Sequence, residues 1–123
     1  MALYRDLNSN VPETSACRSW VMFNGTGTVS INTSFNISSI TDAGTGQYRI
    51  NLSNSNPNTS YVCLATGTGG QTSGGTATND TVQFMGTGAN RPNTGSSYQI
   101  RTVNGGGGDT DMAQVHTATW RED

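Results

Sequence analysis

The side chains of this 123-residue chain that could do chemistry are few and scattered. His116 is the single histidine, and in a strand from Met112 to Trp120 it would share a face with Met112, Gln114, Ala118 and Trp120. A general base needs a nucleophile and an orienting acid, and no motif places a Ser or Asp beside it. It therefore reads as a structural or interface residue, whose titration at a subunit contact would make assembly pH-sensitive. Asp109 and Asp111 follow four successive glycines, Gly105 to Gly108, and place two carboxylates on alternate positions. A calcium ion wants about six oxygens, which this spacing does not supply, so a solvated loop is the simpler expectation. Trp20, Trp120, Tyr4, Tyr48, Tyr61 and Tyr98 could stack on sugar rings, or could pack a core that has few other large residues. Of all these, Trp20, Trp120, Tyr98, His116 and the loop residue Arg91 stand as candidate ligand or partner contacts. No catalytic, cofactor-binding or metal-binding set is assigned.

Cys17 and Cys63 allow one disulfide by arithmetic, but nothing points to an oxidising compartment, and two buried free thiols are expected. With one histidine they cannot build a structural zinc site, which usually takes four protein ligands. The six arginines are dispersed and, as the only cations, are expected to pair bidentately with the eight acids or with a neighbouring chain. There is no lysine, which removes a P-loop lysine, Schiff-base chemistry and a lysine-rich nucleic-acid patch, and the net charge is −2. The glycine-rich stretches do not lead from a strand into a helix, so they are not phosphate cradles. Six Asn-x-Ser/Thr sequons reflect composition, since the N-terminus lacks the basic-then-apolar order of a secretion signal. No apolar run approaches the roughly 18 residues that span a membrane.

The elements that must position these residues are strands. Gly, Thr, Ser and Asn make up about half of the chain, while Leu, Ile, Val and Phe reach only about 15%, below the roughly 20% that ordinarily marks disorder. Disorder, however, couples low hydrophobicity to high net charge, and this chain is nearly neutral. Short bursts of strand formers alternate with turn residues: Cys17 to Phe23, Thr28 to Asn32, Asn36 to Asp42, Gln47 to Leu52, Tyr61 to Thr66, Thr81 to Met85, Tyr98 to Val103 and Met112 to Arg121. Asn24-Gly25 suggests a type I′ hairpin turn. Tyr48, Ile50 and Leu52 alternate with polar residues, and the strand from Tyr61 reads as more fully buried. The low-complexity stretch Thr66 to Asn79 and the segment Arg91 to Ser97 read as projecting loops. The expected fold is all-β, a single-domain β-sandwich, jelly-roll-like or a small barrel, of seven or eight short antiparallel strands. Its core is thin enough that self-association is expected.

The stretch from Ala16 to Leu52 resembles a module found at the ends of bacteriophage tail-fibre proteins and in small virion-associated proteins. The resemblance is carried by Cys17, Arg18, Trp20, Val21, Phe23 to Thr28, Ser38 to Asp42, Gly44 to Gly46 and Tyr48. Beyond Leu52 it continues more weakly through Pro57 to Val62 and His116 to Arg121. In the tail-fibre setting the module follows a long shaft, whereas about 15 residues precede it here. Residues 1–15 are accordingly expected to be a docking segment and 16–123 the β module.

The resemblance implies a non-enzymatic structural protein of a phage virion, assembled in the bacterial cytoplasm without a cofactor or membrane insertion. A fibre-like or attachment component of the tail, homotrimeric and in contact with other virion proteins, is the leading expectation. A capsid decoration or cement protein is the alternative within the virion, and a module binding a host surface glycan is the alternative outside that class. A hydrolase ranks last, because no paired carboxylates or nucleophile and base stand at meaningful spacing.

Overall fold

A computed structural model describes residues 17–56, 61–68, 81–85 and 94–121. Eight strands form: β1 (Cys17–Asn24), β2 (Ser30–Phe35), β3 (Ile37–Gly44), β4 (Gln47–Leu52), β5 (Tyr61–Thr68), β6 (Thr81–Met85), β7 (Ser97–Val103) and β8 (Gln114–Arg121). They pair antiparallel in two four-stranded sheets, ordered β2-β1-β8-β5 and β3-β4-β7-β6. Among the described residues each sheet keeps two edges, as in a sandwich and not a closed barrel. Among the described residues there is no helix, and none therefore long and apolar enough to cross a membrane.

The core lies between the sheets. β1 contributes Val21 and Phe23, β4 contributes Tyr48, Ile50 and Leu52, β7 contributes Tyr98 and Ile100, and Met112 and Val115 close one end. The period-2 pattern of β4 alternates buried with half-buried positions as its sequence requires. Phe23 meets Tyr48 edge to face at a 5.2 Å centroid separation, and Tyr61 meets Tyr98 at 6.1 Å. So few large side chains fill the sandwich because threonine and serine also face inward with their hydroxyls paired. Ser19 and Thr119 share a buried hydrogen bond of 2.5 Å, and Tyr98 and Thr117 share one of 2.6 Å that links the two sheets.

Two turns depart from the expectation. Asn24 and Gly25 do not form a type I′ turn, since positive φ in this loop occurs only at Gly27. Instead the Asn24 side chain accepts hydrogen bonds from the Thr26 backbone N–H and hydroxyl, at 2.9 and 2.6 Å. Gly25 is buried against the Tyr48 ring, where a Cβ would lie 2.4 Å from the phenol oxygen. Between β2 and β3 the chain changes sheets at Asn36, the one described non-glycine residue with positive φ, at 57°. Its carboxamide donates to the carbonyls of Arg18 and Asn54 and accepts from the Asn54 N–H.

Candidate functional site

The sandwich has two outer faces of opposite character. On the second sheet the outward positions include exposed Ser39 and Thr41 and half-buried Arg49, Asn51 and Arg101, a polar surface with cations, while Gln99, in register with Arg49, is buried. The first sheet presents the reverse. Its register aligns Phe35, Trp20, Ala118 and Leu64 in one cross-strand row, Thr33, Met22, His116 and Thr66 in the next, and Cys17, Trp120 and Val62 in a third. None of these positions holds Asp, Glu, Arg or Lys. Trp20 is 38% exposed, Phe35 53%, Val62 59% and Leu64 61%. A shallow depression of about 460 Å³ lies on this face, lined by Trp20, Met22, Thr33, Leu64, Thr66 and His116 among others.

Three of the candidate contacts therefore meet on one surface: Trp20 on β1 and His116 and Trp120 on β8. Tyr98 does not join them. It is fully buried, with its hydroxyl used by Thr117, because its place in β7 points into the core; burial raises its phenol above the ordinary range. Arg91 lies outside the described residues, as do residues 1–16 with Tyr4, and residues 69–80 of the low-complexity stretch. Met112 is not on the His116 face either. It is buried ahead of β8, where its carbonyl accepts the Gly25 N–H at 2.9 Å. Tyr48 and the half-buried Tyr61 also serve packing.

Sequence reasoning missed Phe35, Met22, Val62 and Leu64. The strand β5, expected to be buried, alternates exposed Val62, Leu64 and Thr66 with half-buried Cys63, Ala65 and Gly67. The smaller residues face inward because space there is short: a Cβ on Gly67 would lie 2.7 Å from Met112 Sδ and 2.9 Å from Val82. Large residues outward and small ones inward is the signal that identifies this face.

The Asp109–Asp111 region is no solvated loop. Asp109 forms an ion pair with Arg101 Nε and accepts from the Gln47 carboxamide at 3.0 Å. That contact is through one guanidinium nitrogen; Arg101 Nη2 reaches the Gly107 carbonyl instead of making a bidentate pair. Asp111 accepts from the Gly46 N–H at 2.7 Å and the Tyr48 hydroxyl at 2.8 Å. Burial first, and then the hydrogen bond and charge of Asp111, raise the Tyr48 phenol well above its usual range. Among the described residues no group of three or more His, Cys, Asp or Glu could hold a metal ion.

The cysteines are free and half-buried. β8 lies between their strands, which keeps β1 and β5 from direct pairing. Burial pushes the Cys63 thiol up to about 12, and burial followed by the neighbouring Cys63 pushes Tyr61 up to about 12.

No family model matches this chain, and no curated protein matches it. Among solved structures the fold is similar to part of the phiAB6 tailspike, whose crystal structure holds three-repeated oligosaccharides of Acinetobacter baumannii surface polysaccharide. The TM-score is 0.55 and the sequence identity 14%, over 88% of this chain and 20% of the tailspike chain. The chain thus spans about a fifth of the tailspike's length, and at that identity the likeness is one of fold.

Proposed function

We propose that this chain is a non-enzymatic structural module of a bacteriophage virion, a fibre-like or attachment component of the tail that works as a homotrimer. The observation that carries the reading is the sandwich itself, 88% of the chain, shared with part of a phage tailspike at a TM-score of 0.55. It agrees with the tail-fibre resemblance between Ala16 and Leu52, which rests on residues and not on coordinates. The non-enzymatic part of the reading rests on the sequence expectation alone, in which no motif sets a nucleophile, a base and an orienting acid together.

Labelled antibody against the protein on intact particles tests the reading. Density at the tail is expected; density confined to the capsid would assign a decoration role instead, and no label on particles would end the virion reading. Residues 1–15 are proposed as the docking segment, so a chain lacking them folds, with unchanged circular dichroism, but does not enter particles.

A second reading has its own observation. The depression containing Trp20 and His116 is of ligand size and lined mostly by apolar groups with a few hydroxyls, and the tailspike of like fold was crystallised with oligosaccharides. Under that reading, saccharides from the host surface quench Trp20 fluorescence and a Trp20→Ala chain loses binding on a glycan array.

A further inference from the structure

Four of the five large hydrophobic side chains that the described residues leave exposed, Trp20, Phe35, Val62 and Leu64, stand on the outer face of the β2-β1-β8-β5 sheet; Ile31, on the edge strand β2, is the fifth. We propose that this face is the surface through which copies of the chain associate, the apolar outer faces of neighbouring copies turned toward a common axis. The inference deepens the homotrimer part of the reading above, and depends on that reading only for the number of copies.

Three observations favour a second copy as the occupant. The first is area. Taking about 150 to 250 Å² for the aromatic side chains and somewhat less for Val62 and Leu64, the exposed fractions of those four residues leave on the order of 400 Å² of apolar surface in water, within the roughly 300–600 Å² of the largest and often functional patch on a typical monomer. That is about half of the roughly 800 Å² one partner contributes to a stable interface, before Met22, Ala118, His116 and Trp120 add their share. The second is charge. The three cross-strand rows hold no Asp, Glu, Lys or Arg, so a charged partner gains no electrostatic complement here, whereas an identical apolar face meets it without leaving an ion unpaired. The third is residue type. The rows hold two Trp, a Phe and a Met, which interface cores favour over open surface, together with aliphatic Val62 and Leu64. A sugar site would call for more polar side chains to meet ring hydroxyls than Thr33, Thr66 and His116 provide. Among the described residues the second sheet instead turns polar side chains such as Ser39 and Thr41 to water.

Sedimentation equilibrium on the full chain tests the proposal. The wild type is expected to associate, and Leu64→Glu to raise its dissociation constant by at least about 30-fold, the scale of an interface hot spot. Thr41→Glu, on the outer face of the second sheet, is expected to leave association unchanged. Because a glutamate on β5 could disturb folding, a Val62→Thr/Leu64→Thr chain, which keeps strand-favouring residues, is measured alongside with circular dichroism as the check on fold. A wild type that stays monomeric would overturn the proposal. So would an oligomer unmoved by either folded variant, which would leave the homotrimer reading standing on another surface. A monomer that associates only after removal of residues 1–15 would likewise overturn it, assigning the face to that segment. Loss of the virion reading by antibody labelling leaves these outcomes unaffected.

Discussion

At the scale of single residues the structure gives the turn and loop types precise packing duties. Gly25 matters through a close approach: Tyr48 Oη occupies the space where a Cβ would go and donates to the Gly25 carbonyl at 3.0 Å. Gly25→Ala is therefore expected to destabilise the fold by about 1–3 kcal/mol, the cost of forcing extra volume into a packed site. The nearby Gly25 N–H to Met112 bond depends on the same approach. A urea denaturation midpoint that matches the wild type would contradict this account. The carboxylate of Asp111 also has a structural duty, since it accepts the Gly46 N–H and shares the Tyr48 hydroxyl proton with the Gly25 carbonyl. Asp111→Ala removes that acceptor and is expected to cost about 1–3 kcal/mol. Because Asp109 and Asp111 are already engaged by Arg101, Gln47, Tyr48 and Gly46, adding calcium is expected to leave the wild-type melting temperature where it is. A calcium-dependent rise would show that these carboxylates bind the ion after all.

At the scale of elements, β5 and the β2–β3 junction show where strand patterns were legible and where they were not. Each of the eight strands overlaps an expected segment, because strand formers cluster between turn residues, although β2 runs over Ser30–Phe35 and not Thr28 to Asn32, and β8 starts at Gln114 and not Met112. The facing of β5 could not. Sequence patterning assigns large residues to the core, yet Gly67 must sit against Met112 and Val82, and that constraint turns Val62 and Leu64 outward. The same strand buries Cys63, and its raised thiol predicts low reactivity: near neutral pH, alkylation of Cys63 in the folded protein is expected to run far slower than in urea. Equal rates, read by peptide mass after digestion, would show that β5 does not protect it. At the junction, Asn36 combines positive φ with three hydrogen bonds to the chain around it. Asn36→Ala loses both and is expected to cost about 1–2 kcal/mol, whereas Asn36→Gly keeps the conformation and loses only the bonds.

At the scale of the whole molecule, four neutral acids lie buried or half-buried between the sheets, and this sets the response to alkali. Cys63 and Tyr61 are raised to about 12, and Tyr48 and Tyr98 are raised further by burial. Each holds its proton more tightly folded than unfolded. Stability from this source is thus complete below about pH 8.5, where unfolded thiols begin to titrate, and declines as pH climbs towards the folded values. Each group steepens the decline by at most about 1.4 kcal/mol per pH unit. Urea midpoints measured from pH 8 to about pH 11 should fall, and Cys63→Ala should make the fall shallower. A midpoint independent of pH over that range would mean that these groups are not buried as described.

The sequence by itself determined the class of the fold and the places of its strands, because the period of apolar residues and the chemistry of turns act over a few neighbouring positions. It also contained Trp20, Trp120 and His116 as residues worth following. Only the tertiary structure decided that these three share a face with Phe35, Met22, Val62 and Leu64, and that Tyr98 belongs to the core. The reason is that strand order, β2-β1-β8-β5 against β3-β4-β7-β6, and the choice of inward face depend on contacts between residues far apart in the chain. A two-residue alternation is equally satisfied by either facing until a neighbour such as Met112 fills the space on one side.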